Sequence, residues 1–487
     1  MSRINTNVAA LIAQHNLGKS NSSLQVSLQR LSTGLQINRG ADNPAGLIVS
    51  ERLRSEISGV TGAIDNVERA SNVLATTEAA LSEVSDLLTS VKSLIVQAAN
   101  TGAFSKAEIA ANQLQIDSAV ESISRIAATT SFAGLKLLNG SLDYLVSGVN
   151  SSQITDIHVF GANFGTASTI PVTVEVLNSA QNAGLFISGN TVGAPGALLS
   201  SVTVELQGTK GAQVLSFVSG TALSAVVFAV NQSTDATGVS ASLVNATNQT
   251  SGLVLNSTAF GSDAFVSVRK IQKGANFQTY DRQNGVATVR DTGQDVLALV
   301  NGNLALGAGS DISVHSSNLN MQLHLTNAAA QSASTYNFTL TGGGANYQVG
   351  PSVNSSQQIG FGVQSVAASN LGTAAGGYLN TIATGGDNSL VNDKARQASE
   401  IVDQAIDQVS NLRGRLGAFE RNTLQTTLRS SQIALENLTS SQSQIRDTDF
   451  AAETSKLSRA QILQNAGTST LALANSSSQS VLRLLQG

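Results

Sequence analysis

The chain has no cysteine and no tryptophan, only 4 prolines among 487 residues, and little charge: 12% of residues are Asp, Glu, Lys or Arg. The missing cysteine excludes disulfides and thiolate metal sites. The scarcity of proline leaves long helices uninterrupted. A net charge of −4 supplies no general attraction to nucleic acid or to an anionic membrane, and neither is expected as a partner. Apolar runs stay short of the ~20 residues that cross a bilayer, so no membrane insertion is expected. The N-terminus, Met1-Ser-Arg-Ile-Asn-Thr-Asn-Val8, lacks the apolar core of a secretory signal. The expected location is therefore the cytosol, or outside the cell by a route that needs no cleaved signal.

What is present is a real core composition, 41% hydrophobic, arranged as two helical ends around a different middle. Ile4, Val8, Leu11 and His15 fall at steps of four, three and four; after a phase shift Leu17, Leu24, Leu28, Leu31 and Leu35 continue the seam. The run stops around Thr33-Gly34 to Gly40, and Asn43-Pro44 predicts a new helix, because Asn caps well and Pro suits a first turn. Ile57, Val60, Ile64, Val67 and Leu74 begin its seam, and Leu81, Val84, Leu88, Val91 and Ile95 carry it to about Ala99. Such a helix is roughly 80 Å long at about 1.5 Å per residue, more than a compact core wants. Gly102 breaks it, and Ile109, Gln113, Ile116, Val120, Ile123 and Ala127 mark a helix running back.

The C-terminal end mirrors this. Ala398, Val402, Ala405, Val409, Leu412, Leu416 and Phe419 keep three-four spacing, and the phase changes near Thr423. Asp447-Thr-Asp449 reads as a further helix start, with Leu457, Ile462, Leu463, Leu471, Leu482 and Leu485 in the last stripe. Between the ends, alternation such as Val172-Thr-Val-Glu-Val176 and Val202-Thr-Val-Glu-Leu206 predicts strands, with one clear helix over Thr221 to Gln232. The fold class expected is α+β and multidomain: a long antiparallel helical coiled-coil rod made by the two ends, with a β-rich outer domain inserted between them.

Helices at opposite chain ends can pair only by bringing the termini together, and seams this thin usually order on neighbours. From pattern alone, self-assembly and a monomeric bundle with an inserted β domain stand level.

Three stretches closely resemble the bacterial flagellins: Arg3-Ile-Asn-Thr-Asn-Val8 running into Leu31-Ser-Thr-Gly-Leu35 and Arg39-Gly-Ala-Asp-Asn-Pro-Ala-Gly-Leu47; Ser131-Phe-Ala-Gly-Leu-Lys-Leu-Leu-Asn-Gly140; and Ile445-Arg-Asp-Thr-Asp-Phe-Ala-Ala-Glu-Thr-Ser-Lys-Leu-Ser-Arg-Ala-Gln-Ile-Leu463. Thr221 to Arg269 also resembles a small repeat of some flagellin and hook-protein outer domains. The resemblance implies a filament subunit that polymerises through its ends. Residues 1–43 and 447–487 would line the inner tube, packing through Ile4, Val8, Leu11, Leu28, Leu31, Leu457, Ile462, Leu463, Leu482 and Leu485. Residues 44–160 and 390–446 would form the inner rod, packed by Ile57, Val60, Ile64, Val67, Leu74, Val402, Val409, Leu412, Leu416 and Phe419. Residues 161–389 would project outward, with a strand-helix-strand repeat near 205–270.

The implied partners are other copies of the chain, the flagellar export apparatus, an export chaperone, the filament cap and the hook-junction proteins. The implied location is the extracellular filament. An animal Toll-like receptor would meet the stretch around Ser90, Val91, Leu94 and Gln97; recognised relatives usually carry arginine where Ser90 stands, so weak recognition is expected. The extreme end lacks the proline and final arginine of many relatives. A hook–filament junction protein is the alternative in the same class, and a secreted adhesin or carbohydrate-binding protein the alternative in another.

No catalytic constellation, cofactor or metal site is expected. His15 reads as a helix-contact residue, His315 and His324 lack an HExxH partner, and Asp42 and Asp449 read as helix caps. Lys456 and Arg459 read as a solvated or intersubunit face. Scattered Asn-x-Ser/Thr triplets are what chance gives in so Ser/Thr-rich a chain.

Overall fold

In the computed structural model, residues 6–189, 196–271, 277–281, 285–316 and 318–486 are described, without the side chains of 478, 479 and 481–486. The chain divides into two units: residues 1–71, 348–353 and 420–487 in one, and 72–347 with 354–419 in the other.

Helix α1 spans Val8–Thr33 and stops at Gly34, whose φ of 73° is the left-handed conformation that ends a helix at little cost in glycine. Helix α2 runs unbroken from Pro44 to Ala98. The Asn43 side-chain oxygen accepts the Gly46 N–H at 2.9 Å, which is the cap predicted for it. Helix α3, Lys106–Thr129, opens on a capping box between Ser105 and Glu108. Its expected seam is buried at Ile116, Val120, Ile123 and Ala127.

In the second unit the later part of α2 buries Leu74, Leu81, Val84, Leu88, Val91 and Ile95. A tight hairpin, Ser131–Phe132 against Leu135–Lys136, follows α3. An eight-stranded antiparallel sheet then runs in the order Tyr144–Ser147, Thr335–Gly343, Ile170–Asn178, Leu297–Val300, Asn303–Ala308, Asp311–His315, Leu319–Leu325, Ile154–Ala162. Alternate residues such as Val172, Val174, Val176, Ala298, Val300 and Ala305 point into one core. Residues 358–363 close the two outer edges: Gly362 N–H donates to the Phe160 carbonyl at 2.9 Å and Val363 N–H to the Leu142 carbonyl at 3.0 Å. The Tyr144 hydroxyl adds a bond from Ala162 N–H at 2.9 Å.

A second β body has its own core. Two four-stranded sheets and helix α4, Leu223–Gln232, enclose Leu185, Val204, Leu206, Val226, Val230, Leu253 and Val266. Asp295 ties the two bodies together, accepting Ser262 N–H at 3.0 Å and Gly309 N–H at 2.7 Å.

The β-rich part was expected over residues 161–389; strands of the large sheet begin already at Tyr144, and the last strand packed on it ends at Phe361. Residues beyond 361 lie instead against helices, where glutamine side chains bond to their backbone. Gln113 of α3 donates to the Ile382 carbonyl and accepts the Leu390 N–H, both at 2.8 Å. From helix α5, Ala395–Phe419, Gln408 both donates to and accepts from the Gly372 backbone at 2.8 Å.

In the first unit α5's continuation passes through one π-helical turn, Glu420–Leu424, before helix α6, Gln425–Arg446. That turn supplies the phase change expected near Thr423, since each residue in it advances less around the axis. Helix α7, Phe450–Gln486, starts where Asp449 accepts the N–H groups of Ala451 and Ala452 at 2.9 and 3.0 Å.

Candidate assembly surface

Helices α1 and α7 pair over their length. The pair begins where the two connectors cross: Gln36 N–H donates to the Arg446 carbonyl at 2.7 Å and Thr448 N–H to the Gly34 carbonyl at 2.9 Å. Seven-residue spacing turns Ala13, Leu17, Leu24, Ser27 and Leu31 of α1 toward Glu453, Leu457, Ala460, Gln464, Gly467 and Leu471 of α7. Among described side chains of the two helices, only Ala13, Ser27, Glu453 and Ala460 are fully buried. A Cβ on Gly467 would meet Leu17 at 3.3 Å, so glycine lets the helices approach there. The seam is narrow and mixes leucines with small and polar side chains.

Its one buried charge is Glu453. The carboxylate accepts the Ser27 hydroxyl at 2.7 Å and Lys456 at 3.1 Å, and Arg30 lies at 3.8 Å. Burial works to raise its pKa; the bonds from Ser27 and Lys456 and the two positive charges outweigh that, leaving it below the ordinary glutamate value. A groove of about 760 Å³ opens beside this cluster, lined by both helices and carrying Lys19, Arg30, Lys456 and Arg459.

A second set of large apolar side chains points elsewhere. Val8, Leu11, Ile12 and Leu28 on α1, and Phe450, Ile462, Leu463 and Leu473 on α7, are between 49% and 72% exposed. Of the residues expected to pack the core of an assembly, Leu31 and Leu457 are half-buried in the α1–α7 seam, whereas Val8, Leu11, Leu28, Ile462 and Leu463 face away from it. Ile4 and the side chains of Leu482 and Leu485 lie outside what is described. Helix α6 likewise has no fully buried residue, and its Ile433 is 60% exposed. Among the described residues, these apolar side chains of α1, α6 and α7 are left uncovered.

The expected rod residues are placed as follows. Val60 and Val67 are buried and Ile57 and Ile64 half-buried in the first unit; Leu74, Val402, Val409 and Leu416 are buried in the second, with Leu412 and Phe419 half-buried. In the expected receptor-facing stretch, Ser90 and Gln97 are exposed and Leu94 is half-buried. Val91 is fully buried, so it cannot face a receptor.

Two smaller expectations are corrected. His15 is exposed, because the α1 seam runs through Ala13 and Leu17 on either side of it. Asp42 does not cap α2; its carboxylate accepts Asn38 and Arg39 N–H groups at 3.0 and 2.8 Å and closes the preceding turn, and these backbone bonds lower its pKa. The middle histidines stand in pairwise contacts: His158 with Asp156 at 2.9 Å, His324 with Asp311 at 2.6 Å, His315 with Asn320 at 2.9 Å. Among the described residues no group of three or more His, Asp or Glu could hold a metal ion, and no helix is long and apolar enough to cross a membrane. Polar seams such as the Ser27–Glu453 pair were missed from the sequence, where a serine and a glutamate on an apolar helix give no signal.

Comparison with known proteins gives matches at both ends and along the whole chain. The profile described as the bacterial flagellin N-terminal helical region matches residues 4–143, and that of the C-terminal helical region matches residues 399–485. The chain is 30% identical over 510 residues to the B-type flagellin of Pseudomonas aeruginosa, covering 99% of each. It is similarly 30% identical over 529 residues to the flagellin of Escherichia coli (strain K12), and 29% over 528 residues to that of Salmonella muenchen, again with 99% of each chain covered.

Proposed function

Because this chain belongs to the bacterial flagellin family, and so is a structural subunit of the extracellular flagellar filament, we propose that it polymerises through the outward apolar faces of the α1–α7 pair. The observation that carries this is the exposure of Val8, Leu11, Leu28, Ile462 and Leu473 on two helices whose mutual seam, among the described side chains, fully buries only two alanines, one serine and one glutamate. Copies stacked around a common axis would bury those faces and line an inner tube. Packing of α2, α5 and α6 would make the surrounding rod, and the two β bodies would project from it. A helix pair this thinly seamed gains most of its order from neighbours, so the ends of the free chain would be mobile.

The proposal extends to passage through the flagellar export channel with a chaperone, and to contact with the cap and the hook-junction proteins. For the Toll-like receptor, Ser90 is exposed but offers one hydroxyl where a forked guanidinium would bind two acceptors, so recognition is weak. A reporter-cell assay comparing the unmodified chain with Ser90→Arg tests this; full-strength signalling by the unmodified chain overturns it. Neither the hook–filament junction reading nor the adhesin reading has an observation of its own here.

Purified full-length chain mixed with sheared filament seeds, viewed by negative-stain electron microscopy beside a version trimmed to residues 44–446, tests the central claim. Long tubes from the full chain alone are expected. Seed elongation by the trimmed version would sink the proposal.

A further inference from the structure

Three of the chain's 4 histidines lie on adjacent strands at one end of the eight-stranded sheet, in the order Asp311–His315, Leu319–Leu325, Ile154–Ala162. Ile312, Val314, Met321, Leu323 and Val159 point into the core, so the alternate residues form the outward face. One row of that face crosses all three strands. Asp311 pairs with His324, and His324 pairs on its other side with Asp156. A histidine thus stands between two aspartates, each directly opposite it, at the spacing of about 5 Å over which cross-strand side chains interact.

His324 Nδ1 meets an Asp311 carboxylate oxygen at 2.6 Å. A carboxylate only accepts, so Nδ1 carries a proton there, and a second proton on Nε2 sets a positive ring between two negative groups. The bond to Asp311 and the charges of Asp311 and Asp156 outweigh burial and raise the His324 pKa above its ordinary 6.5. Asp156 has a further neighbour on its own strand, His158, whose Nε2 lies 2.9 Å from the carboxylate and whose Nδ1 is bonded by Gln364. Burial works to raise the Asp156 pKa; the bond from His158 and the charges of His158 and His324 outweigh it, leaving the group below 3.8. Asp143, whose own carboxyl burial pushes up, adds a like charge beside Asp156. Beyond His158, the Arg415 guanidinium of α5 covers the Phe160 ring.

We propose that Asp311, His324 and Asp156 form a pH-sensitive latch, which ties the outer strand Ile154–Ala162 to its two neighbours while the imidazole is protonated and relaxes when it loses its charge. With the ring charged, both aspartates are drawn toward it from opposite sides. With the ring neutral, one N–H remains for Asp311, and Asp156 is left to His158 and to repulsion by Asp143. Because the His324 value is raised, its stabilisation is complete below 6.5 and is lost as pH rises through the raised value. Because the Asp156 value is lowered, its share is present above 3.8 and is lost as pH falls through the lowered value. The latch is therefore closed between 3.8 and 6.5 and opens toward alkali. His324, Asp156 and Asp311 are 44%, 43% and 40% exposed, so water screens the row and its opening loosens the strand without unfolding the sheet.

The test uses the full chain without seeds, so its outcome is independent of filament assembly. With an isotope label at histidine Cε1, the 4 histidine signals are followed by NMR against pH and assigned by single substitutions to glutamine. His324 should titrate above 6.5, and its midpoint should fall both in Asp311→Asn and in Asp156→Asn. An unchanged midpoint in Asp156→Asn overturns the latch, because His324 is then tied to one strand only. Calorimetry of the β-rich middle gives a second readout. Between about pH 6 and about pH 8.5 the unmodified chain should lose about 2–4 °C of its midpoint that His324→Gln does not lose. His315→Gln, whose ring faces Asn320 at 2.9 Å and no carboxylate across the strand, should keep the full loss. An equal loss in the unmodified chain and in His324→Gln also overturns the latch.

Discussion

Replacing Glu453 by alanine tests the α1–α7 pair at its most demanding point. The carboxylate is about as buried as any polar group in the chain, with its side chain 4% exposed, and it is the shared partner of Ser27, Arg30 and Lys456. Without it two cations face each other across the seam, and Arg30 already has a buried Nε with no partner. Breaking a buried pair in this way costs about 3–5 kcal/mol when both members are fully enclosed. Arg30 is 21% and Lys456 61% exposed, so water recovers part of that, and about 2–3 kcal/mol is expected here. If assembly requires the pair, each 1.4 kcal/mol should raise the critical concentration for seed elongation about tenfold. The alanine variant should therefore need about thirty to a hundred times more chain. Glu453→Gln keeps an oxygen for Ser27 and loses only the charge, so about fivefold is expected. The assay is sedimentation of seeded mixtures over a range of concentrations, with the thermal transition of the β-rich middle as the control for folding. A critical concentration within threefold of the unmodified chain for Glu453→Ala refutes the reasoning. The same group sets an acid limit. Its pKa lies below the ordinary value of 4.5, so its contribution is present above that value and is lost as pH falls through the depressed one. Assembly should weaken only under acid, and Glu453→Gln should flatten that part of the profile.

Other perturbations separate the two units of the chain. Gln113→Ala strands the Ile382 carbonyl and the Leu390 N–H in a buried place, at about 1–3 kcal/mol each, so thermal unfolding should show a loss of about 2–6 kcal/mol. Asp295→Ala releases the Ser262 and Gly309 turns that it joins; about 1–2 kcal/mol should be lost, and the two β cores should melt less cooperatively by calorimetry. Leu28→Asp, at a side chain 49% exposed and off the α1–α7 seam, should leave the circular dichroism of the free chain unchanged and cut seeded elongation at least tenfold. Equal elongation would mean that the outward face of α1 is not a contact.

What could be read from sequence depended on whether the largest side chains do the local packing. In α2 they do: Leu81, Leu88, Val91 and Ile95 are both the periodic and the buried residues, so the helix and its seam were legible. Asn43 and Asp449 were legible as caps because capping is local chemistry. The phase slip near Thr423 was visible too, although a π turn and a simple break give the same pattern. Strand alternation located Val172, Val174 and Val176 in a core. The order of eight strands, which joins Tyr144–Ser147 to Thr335–Gly343 and Ile154–Ala162 to Leu319–Leu325, depends on pairings far apart in the chain and left no local trace. Gln113 and Gln408 show the same limit, since a glutamine on a seam does not announce which distant backbone it will hold.

The two terminal helices carry more apolar surface than their mutual contact uses. On α1 and α7 the periodic apolar residues are shared between two faces: Leu17, Leu24, Leu31, Leu457 and Leu471 are half-buried in the seam beside the fully buried Ala13, Ser27, Ala460 and Glu453. A second stripe of Val8, Leu11, Ile462 and Leu473 is left outside. Leaving that second stripe uncovered costs the isolated chain stability and fits the proposal that it is buried later, against more copies of the same chain. The glutamate at the seam fits that order. Its bonds to Ser27, Arg30 and Lys456 favour one facing of α7 on α1 without consuming the apolar surface that assembly needs. Uncovered hydrophobicity on the terminal helices of the single subunit is thus the surface that the proposed polymerisation would use.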